Sequence, residues 1–401
     1  MEKYAFKGLR VLDCTQGVGA PYCTKLFADF GAEVIKVEHP NEGDPTRKMG
    51  PFQGDDPNPE KSALFFYLNT NKKSITLNLE TKKGVNLFKK LLHGIDAVIE
   101  NLGPGKMSAL GLSDEALKQV QHDLVVAHIS AFGRSGPYRD HKSSDLTLYA
   151  LGGTMYTQRT PEKPLNRPVI EGGLQAEYIT GLVSFISVVA GLLNRASKGQ
   201  AIEIDLGAME AVSSVLAAHI SEYSYLGLSR RTNPWPIHGY PIGYSSFCRD
   251  GWISLTPGLG GAPNIAALIE EPDLKNDPLF SKPGARMAEP EKFNALVEPW
   301  MKQHDKWEIT KKAQELKLAF TPVLTNGEVL TDEQLKARKY FNSCDHPTMG
   351  QVTYPGAPAK LSETPWRKGR APLLGEHNWE IYSGLSYTKE DLIQMQREKI
   401  I

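Results

Sequence analysis

Along the first 135 residues, short apolar runs alternate with stretches whose apolar positions recur every three or four residues. Residues 9–13 (LRVLD), 33–38 (EVIKVE), 73–79 (KSITLNL), 97–101 (AVIEN) and 124–130 (LVVAHIS) predict strands. Residues 21–30 and 82–92 predict helices between them, the first stopped by Gly31. Nearly continuous apolar strands separated by helices imply a parallel sheet with right-handed crossovers, a Rossmann-like α/β architecture.

The pattern then changes. Residues 177–226 read as mostly helical. Within them, 178–194 is a 17-residue run without a charge, short for a bilayer span and interrupted by Gly181, Ser184, Ser187 and Gly191. It predicts a buried core helix. Residues 230–243 (RRTNPWPIHGYPIG) read as a proline- and glycine-rich linker, and 244–258 as a hairpin turning at Asp250-Gly251. Helical patterns at 262–270, 290–303 and 307–316 complete a smaller α+β unit. A further helix follows Thr331, then a proline-rich passage at 348–365 and a last helix. The chain contains no internal repeat.

Composition narrows the class. The 401 residues suffice for two domains. Lys plus Arg equals Asp plus Glu at 46 each, which gives no electrostatic case for nucleic acid or an anionic membrane. Cys14, Cys23, Cys248 and Cys344 are scattered and include no CxxC pair, so they read as reduced thiols of a cytoplasmic protein. The first residues carry no apolar signal-peptide core.

Residues 170–182 (IEGGLQAEYITGL) hold the first candidate chemistry. Glu177 opens the apolar run, either as a reacting carboxylate or as an acid favoured by the helix dipole. Gly17-Val18-Gly19 follows the first strand like the start of a dinucleotide fingerprint, and Glu38 ends the second strand. The third glycine is absent and Pro21 stands at the helix start. A tight βα turn, or a phosphate cradle for another nucleotide-bearing ligand, therefore fits better than NAD. Asp145 in SSDLTLYALGG reads first as a helix cap and second as a catalytic acid. His39, His128, His141 and His238 have no metal-ligand spacing, and no GxSxG elbow occurs. Gly258, Gly260 and Gly261 form a turn or a flexible cover over a ligand.

Several stretches resemble family III CoA-transferases, the CaiB/BaiF family. They are KGLRVLDCTQGVGAPYCTKLFADFGAEVIKVEHPNEGDPTR, NKKSITLNL, ENLGPG, ISAFGRSGPY, GLLNRASKGQAIEIDL, FNSCDHPTMGQVTYPGAPAKLSETP and APLLGEHN. They span nearly the whole chain in order. The resemblance implies a large Rossmann-like CoA-binding domain from residues 1–205 and 335–401 and a small α+β domain at 241–325. A helical linker at 206–240 and a return linker at 326–334 would join them, and two subunits would interlock as rings. It implies coenzyme A or acyl-CoA as substrate without a metal, and an acyl-CoA donor such as succinyl-CoA with a carboxylic acid acceptor. The CoA site would take Gly17, Val18, Gly19, His39, Leu77, Asn101, Leu102 and Lys142, with Gly258, Gly260 and Gly261 as the covering loop.

The chain departs from the family pattern at the centre of the chemistry. The nucleophile is an aspartate after a glycine; the matching residues are Glu177 and Ala176. Val18 matches a glutamine, His39 and Ala109 match arginines, and Glu80 matches a basic residue. Ser144-Asp145 stands where a racemase branch carries His-Asp. The departures imply a subunit of a hetero-oligomer whose partner carries the catalytic aspartate, as in succinyl-CoA:benzylsuccinate CoA-transferase. The alternatives are a homodimeric transferase using Glu177 as nucleophile and an acyl-CoA racemase or isomerase using Glu177 and Asp145.

Overall fold

The computed structural model describes residues 3–158, 168–227, 229, 244–255, 261–282, 285 and 289–401. They form two compact units, Met1–Met155 with Val169–Glu222 and Lys339–Ile401, and Tyr156–Pro168 with Tyr223–Arg338.

The larger unit is built on six parallel strands. In chain order these are β1 (Arg10–Cys14), β2 (Glu33–Glu38), β3 (Lys73–Thr76), β4 (Ala97–Glu100), β5 (Val125–Ser130) and β6 (Ile202–Gly207). Their order in the sheet is β3-β2-β1-β4-β5-β6, which puts the reversal of winding between β1 and β4. Helices α1 (Gly19–Asp29), α2 (Lys82–Leu91), α3 (Asp114–Val120), α4 (Asp145–Leu151), α5 (Gln175–Lys198) and α6 (Ala208–Ser214) complete the frame. Successive strand residues point to opposite faces. Leu12, Ile35, Ile75, Val98 and Val126 therefore pack with Leu87, Phe88 and Leu91 of α2, while Val11, Val34, Ala97 and Val125 pack with Phe27 of α1 and Val188 of α5. Both faces being covered explains the nearly unbroken apolar strands.

The chain's C-terminal part belongs to the same unit. The Tyr382 hydroxyl donates to the Thr76 carbonyl at 2.7 Å, and Thr76 N–H donates to Asn378 Oδ1 at 2.8 Å, so residues after 370 close the free edge at β3.

Residues 177–226 are mostly helical, as expected, but Ile202–Gly207 interrupts them as an edge strand paired with β5. Glu203 and Asp205 alternate with Ile202, Ile204 and Leu206, as a half-covered edge requires. Helix α1 starts at Gly19, two residues earlier than the sequence suggests, with Pro21 inside its first turn, where a missing N–H costs nothing. Helix α5 is not a fully buried core helix. Its small residues Thr180, Gly181, Ser184, Val188 and Gly191 are buried, whereas Ile186 and Leu193 are 65% and 67% exposed. By length and composition alone α5 could cross a membrane.

In the smaller unit, Tyr244–Cys248 and Gly251–Leu255 form the expected hairpin, joined by Thr321–Pro322 as a third strand. Ile253, Ile265, Phe280, Phe293, Met301 and Ile309 share its core. The proposed linker at 230–243 and Gly258 and Gly260 lie outside the described residues. Gly261 directly precedes the helix Ala262–Leu268.

Candidate active site

At the switch point, the turns leaving β1 and β4 are tied to each other. Gln16 N–H donates to Asn101 Oδ1 and Asn101 Nδ2 donates to the Gln16 carbonyl, each at 2.8 Å. Ligands of open α/β sheets sit in this crevice beyond the carboxyl ends of the strands.

Buried charges fix the first turn from below. The Asp13 carboxylate takes Lys72 Nζ at 2.9 Å, the Thr24 hydroxyl at 2.7 Å and the Thr15 amide at 2.9 Å. Lys36 Nζ donates to the Thr15 carbonyl and pairs with Asp44, both at 2.8 Å. Burial would raise the Asp13 pKa, but Lys72 and Lys36 outweigh it and hold the carboxyl at about 2.

The turn ends on α1, and α5 crosses it closely. A Cβ on Gly181 would stand 2.4 Å from the Gly19 carbonyl oxygen, and one on Gly19 would stand 2.6 Å from the Glu177 carbonyl oxygen. Only glycine permits this approach. Its result is a contact across 158 residues of sequence, in which Gly19 N–H donates to Glu177 Oε2 at 2.8 Å. Val18, the residue before α1, offers no side-chain cap, so the Glu177 carboxylate occupies that helix N-terminus. Burial pushes the Glu177 carboxyl pKa up; the Gly19 amide opposes the shift and the Asp145 charge adds to it.

Asp145 does not cap its own helix. Ser144 does so in a reciprocal capping box with Thr147. Asp145 Oδ1 instead accepts the Glu177 N–H at 3.1 Å, and so caps the next helix. The region offers two carboxylates and a helix N-terminal amide beside one turn. That set suits reaction at a carbonyl carbon, with an amide to steady the oxyanion.

A pocket of about 140 Å³ opens from the same turn. Val37, Leu77, Leu79, Leu102 and Leu110 give it apolar walls, and Gln16, His39, Glu80 and Lys106 give it polar ones. It suits one flat ring system with charged groups at its rim. The structure thus gathers His39, Leu77 and Leu102 in one pocket, with Gly17, Val18, Gly19 and Asn101 in the turns beside it. Lys142 lies in an exposed loop and is not among the residues lining this pocket. Ala109 ends the short helix Lys106–Ala109 and does not line it either.

Sequence reasoning passed over Gln16 and Lys106. Gln16 sits two positions before Val18 in the same turn. Lys106 opens a helix after Gly105, an electrostatically poor place for a cation, and that was its available signal. Among the described residues no group of three or more His, Cys, Asp or Glu is placed to hold a metal ion.

Comparison with known proteins agrees with this geometry. The profile of CoA-transferase family III matches residues 6–378. A formyl-CoA:oxalate CoA-transferase of Streptomyces avermitilis is 30% identical, over 99% of this chain and 99% of the relative. A succinyl-CoA:(R)-benzylsuccinate CoA-transferase subunit, BbsE, of Thauera aromatica is 31% identical, over 98% and 97%. The crystal structure of a CaiB/BaiF family protein from Brucella suis superposes with a TM-score of 0.86 at 28% identity, covering 96% of this chain and 100% of that one. A parallel sheet of this order, a carboxylate on the first-turn amide and these whole-length matches lead to one conclusion: the chain belongs to CoA-transferase family III and is an enzyme of the CoA-transferase type.

Proposed function

We propose that this chain is a subunit of an acyl-CoA:carboxylate CoA-transferase, with the adenine end of CoA in the pocket between Leu77 and Leu102 and the thioester beside Gly19 and Glu177. A donor such as succinyl-CoA and a carboxylic acid acceptor fit this chemistry. A carboxylate attacks the thioester carbonyl, the C–S bond breaks, and CoA leaves as thiolate from a mixed anhydride. The acceptor carboxylate then attacks the acyl carbon and frees the enzyme carboxylate, and the thiolate attacks the acceptor's own carbonyl carbon, forming the new thioester as the donor acid leaves.

We assign the nucleophile to an aspartate of a related partner subunit, and to Glu177 the role of a fixed anionic cap. The observation that carries this is the 2.8 Å bond from Gly19 N–H to Glu177 Oε2, which commits the carboxylate to a helix terminus with no other side-chain cap. Ala176 is fully buried where the family pattern has glycine. The exposed apolar stripe Leu182, Ile186 and Leu193 supports an extensive interface, as interlocked rings would require. The domain boundaries at 205, 240, 325 and 334 belong to the same proposal. Four free cysteines support a cytoplasmic setting.

One observation favours the homodimeric alternative: Glu177 Oε1 accepts no hydrogen bond from the described residues and is free to react. The two readings separate when the purified chain, alone and together with a homologue carrying Gly-Asp at this position, is assayed for CoA exchange. Activity only in the mixture supports the partner reading. Activity of the chain alone that is lost in Glu177→Gln overturns it.

A further inference from the structure

His128 is buried in β5, directly opposite Glu100 of β4. Its Nδ1 stands 2.5 Å from Glu100 Oε1, and its Nε2 stands 2.8 Å from Asp114 Oδ1. A neutral imidazole has one N–H, and a carboxylate has no proton to return. Both contacts are hydrogen bonds together only when the ring carries two protons.

The second oxygen of each acid is an acceptor as well. Asp114 Oδ2 accepts Arg134 Nη2 at 2.8 Å, and Glu100 Oε2 accepts the Leu102 N–H at 2.6 Å. The charged groups facing the ring are thus Glu100 from β4, Asp114 from α3 and Arg134 from the loop after β5. Asp205 of β6 holds the Arg134 amide, and Glu203 lies 3.9 Å from its guanidinium. Burial disfavours the charged ring, but Glu100 and Asp114 outweigh burial and raise its pKa.

We infer that His128 is held as an imidazolium and clamps the loop after β4, making it a positioning residue for the pocket walled by Leu77 and Leu102, where the proposed function puts the adenine end of CoA. Glu100 connects the ring to the pocket because the same carboxylate that binds His128 fixes the Leu102 amide. Leu102 is a pocket wall, and its neighbour Asn101 holds the Gln16 turn. When the ring loses a proton, one nitrogen lone pair faces a carboxylate. Glu100 is then displaced and the wall at Leu102 loosens. The sign follows: a raised pKa means the clamp is complete below the ordinary histidine range and is lost as pH rises through the raised value.

The identity of the ligand rests on the proposed function; the protonation state does not. The test therefore has two readouts. Nitrogen-detected NMR of the His128 ring should show two protonated nitrogens at neutral pH. The Kd for coenzyme A should rise about tenfold between roughly pH 6 and pH 9, the worth of one hydrogen bond.

Glu100→Gln supplies the control. Its amide oxygen still accepts from Leu102, its NH2 can donate to a neutral Nδ1, and Nε2–H donates to Asp114. The ring should then carry one proton and the Kd should be flat with pH. A singly protonated ring in the wild type, or the same pH profile in both proteins, overturns the clamp. A doubly protonated ring in a chain that binds no coenzyme A at any pH overturns the proposed function instead.

Discussion

Replacing Glu177 by glutamine or by alanine should have opposite outcomes. In the structure the Glu177 carboxylate supplies the acceptor for Gly19 N–H, and α1 has no other side-chain cap. Glutamine keeps an acceptor oxygen at that place. It forfeits the charge–dipole attraction, about 0.3–1 kcal/mol, while relieving the burial and Asp145 repulsion that raise the carboxyl pKa. The expected net change is within about 0.5 kcal/mol. Alanine leaves the Gly19 amide without its partner, at a cost of about 1–3 kcal/mol. Urea unfolding at constant m value reads both. CoA exchange by the assembly should survive glutamine and fall with alanine. Equal stability of the two variants would refute the capping contact. Loss of exchange in Glu177→Gln without loss of stability would make Glu177 the nucleophile.

Other expectations follow from the same geometry. Gly181→Ala places a Cβ 2.4 Å from the Gly19 carbonyl oxygen, so it should cost about 1–3 kcal/mol by overpacking. A shift of about 1 Å at the turn should slow exchange on the order of a hundredfold, read by urea midpoint and initial rate; unchanged kinetics would count against the site. Lys72→Met leaves Asp13 with Lys36 as its remaining cation and should cost about 3–5 kcal/mol, measured by urea unfolding. Asp13, held at about 2, contributes stability that is present above the ordinary aspartate range and lost as pH falls toward 2. The wild type should therefore lose more stability than Asp13→Asn across that window in an acid titration. Lys106→Glu should raise the KM for acyl-CoA about tenfold with kcat nearly unchanged, with the difference shrinking in high salt.

The sheet was legible because its strands are buried on both faces; β1, β2, β4 and β5 lie within a residue of the apolar runs, and β3 starts where expected but ends three residues early, at Thr76. Strand β6 escaped because an edge strand alternates, and IEIDLG shows two acids in six residues. Helix α5 was misjudged for the opposite reason. Absence of charge reads as burial, yet Leu182, Ile186 and Leu193 face outward, while Phe185 packs on Phe27 and the small residues Gly181, Ser184 and Gly191 are buried. Asp13, Lys36 and Lys72 were invisible as a group, since a charge in a sequence reads as surface until its partner is placed beside it. Glu177 stood out by its charge at the mouth of an apolar run, and its register in a resemblance then put it at the nucleophile position. Its partner Gly19 lies 158 residues away, and no local pattern connects them. Lys106 and Gln16 reach the pocket only because β1 and β4 are neighbours at the switch point.

The most direct test of the division of labour is to trap the acyl intermediate and locate it. The assembly of this chain with its Gly-Asp homologue is incubated with an acyl-CoA, quenched with hydroxylamine, digested and mapped by peptide mass. The expected result is a hydroxamate on the partner's aspartate and an unmodified Glu177. A hydroxamate on Glu177 would contradict the assignment and make this chain its own catalyst.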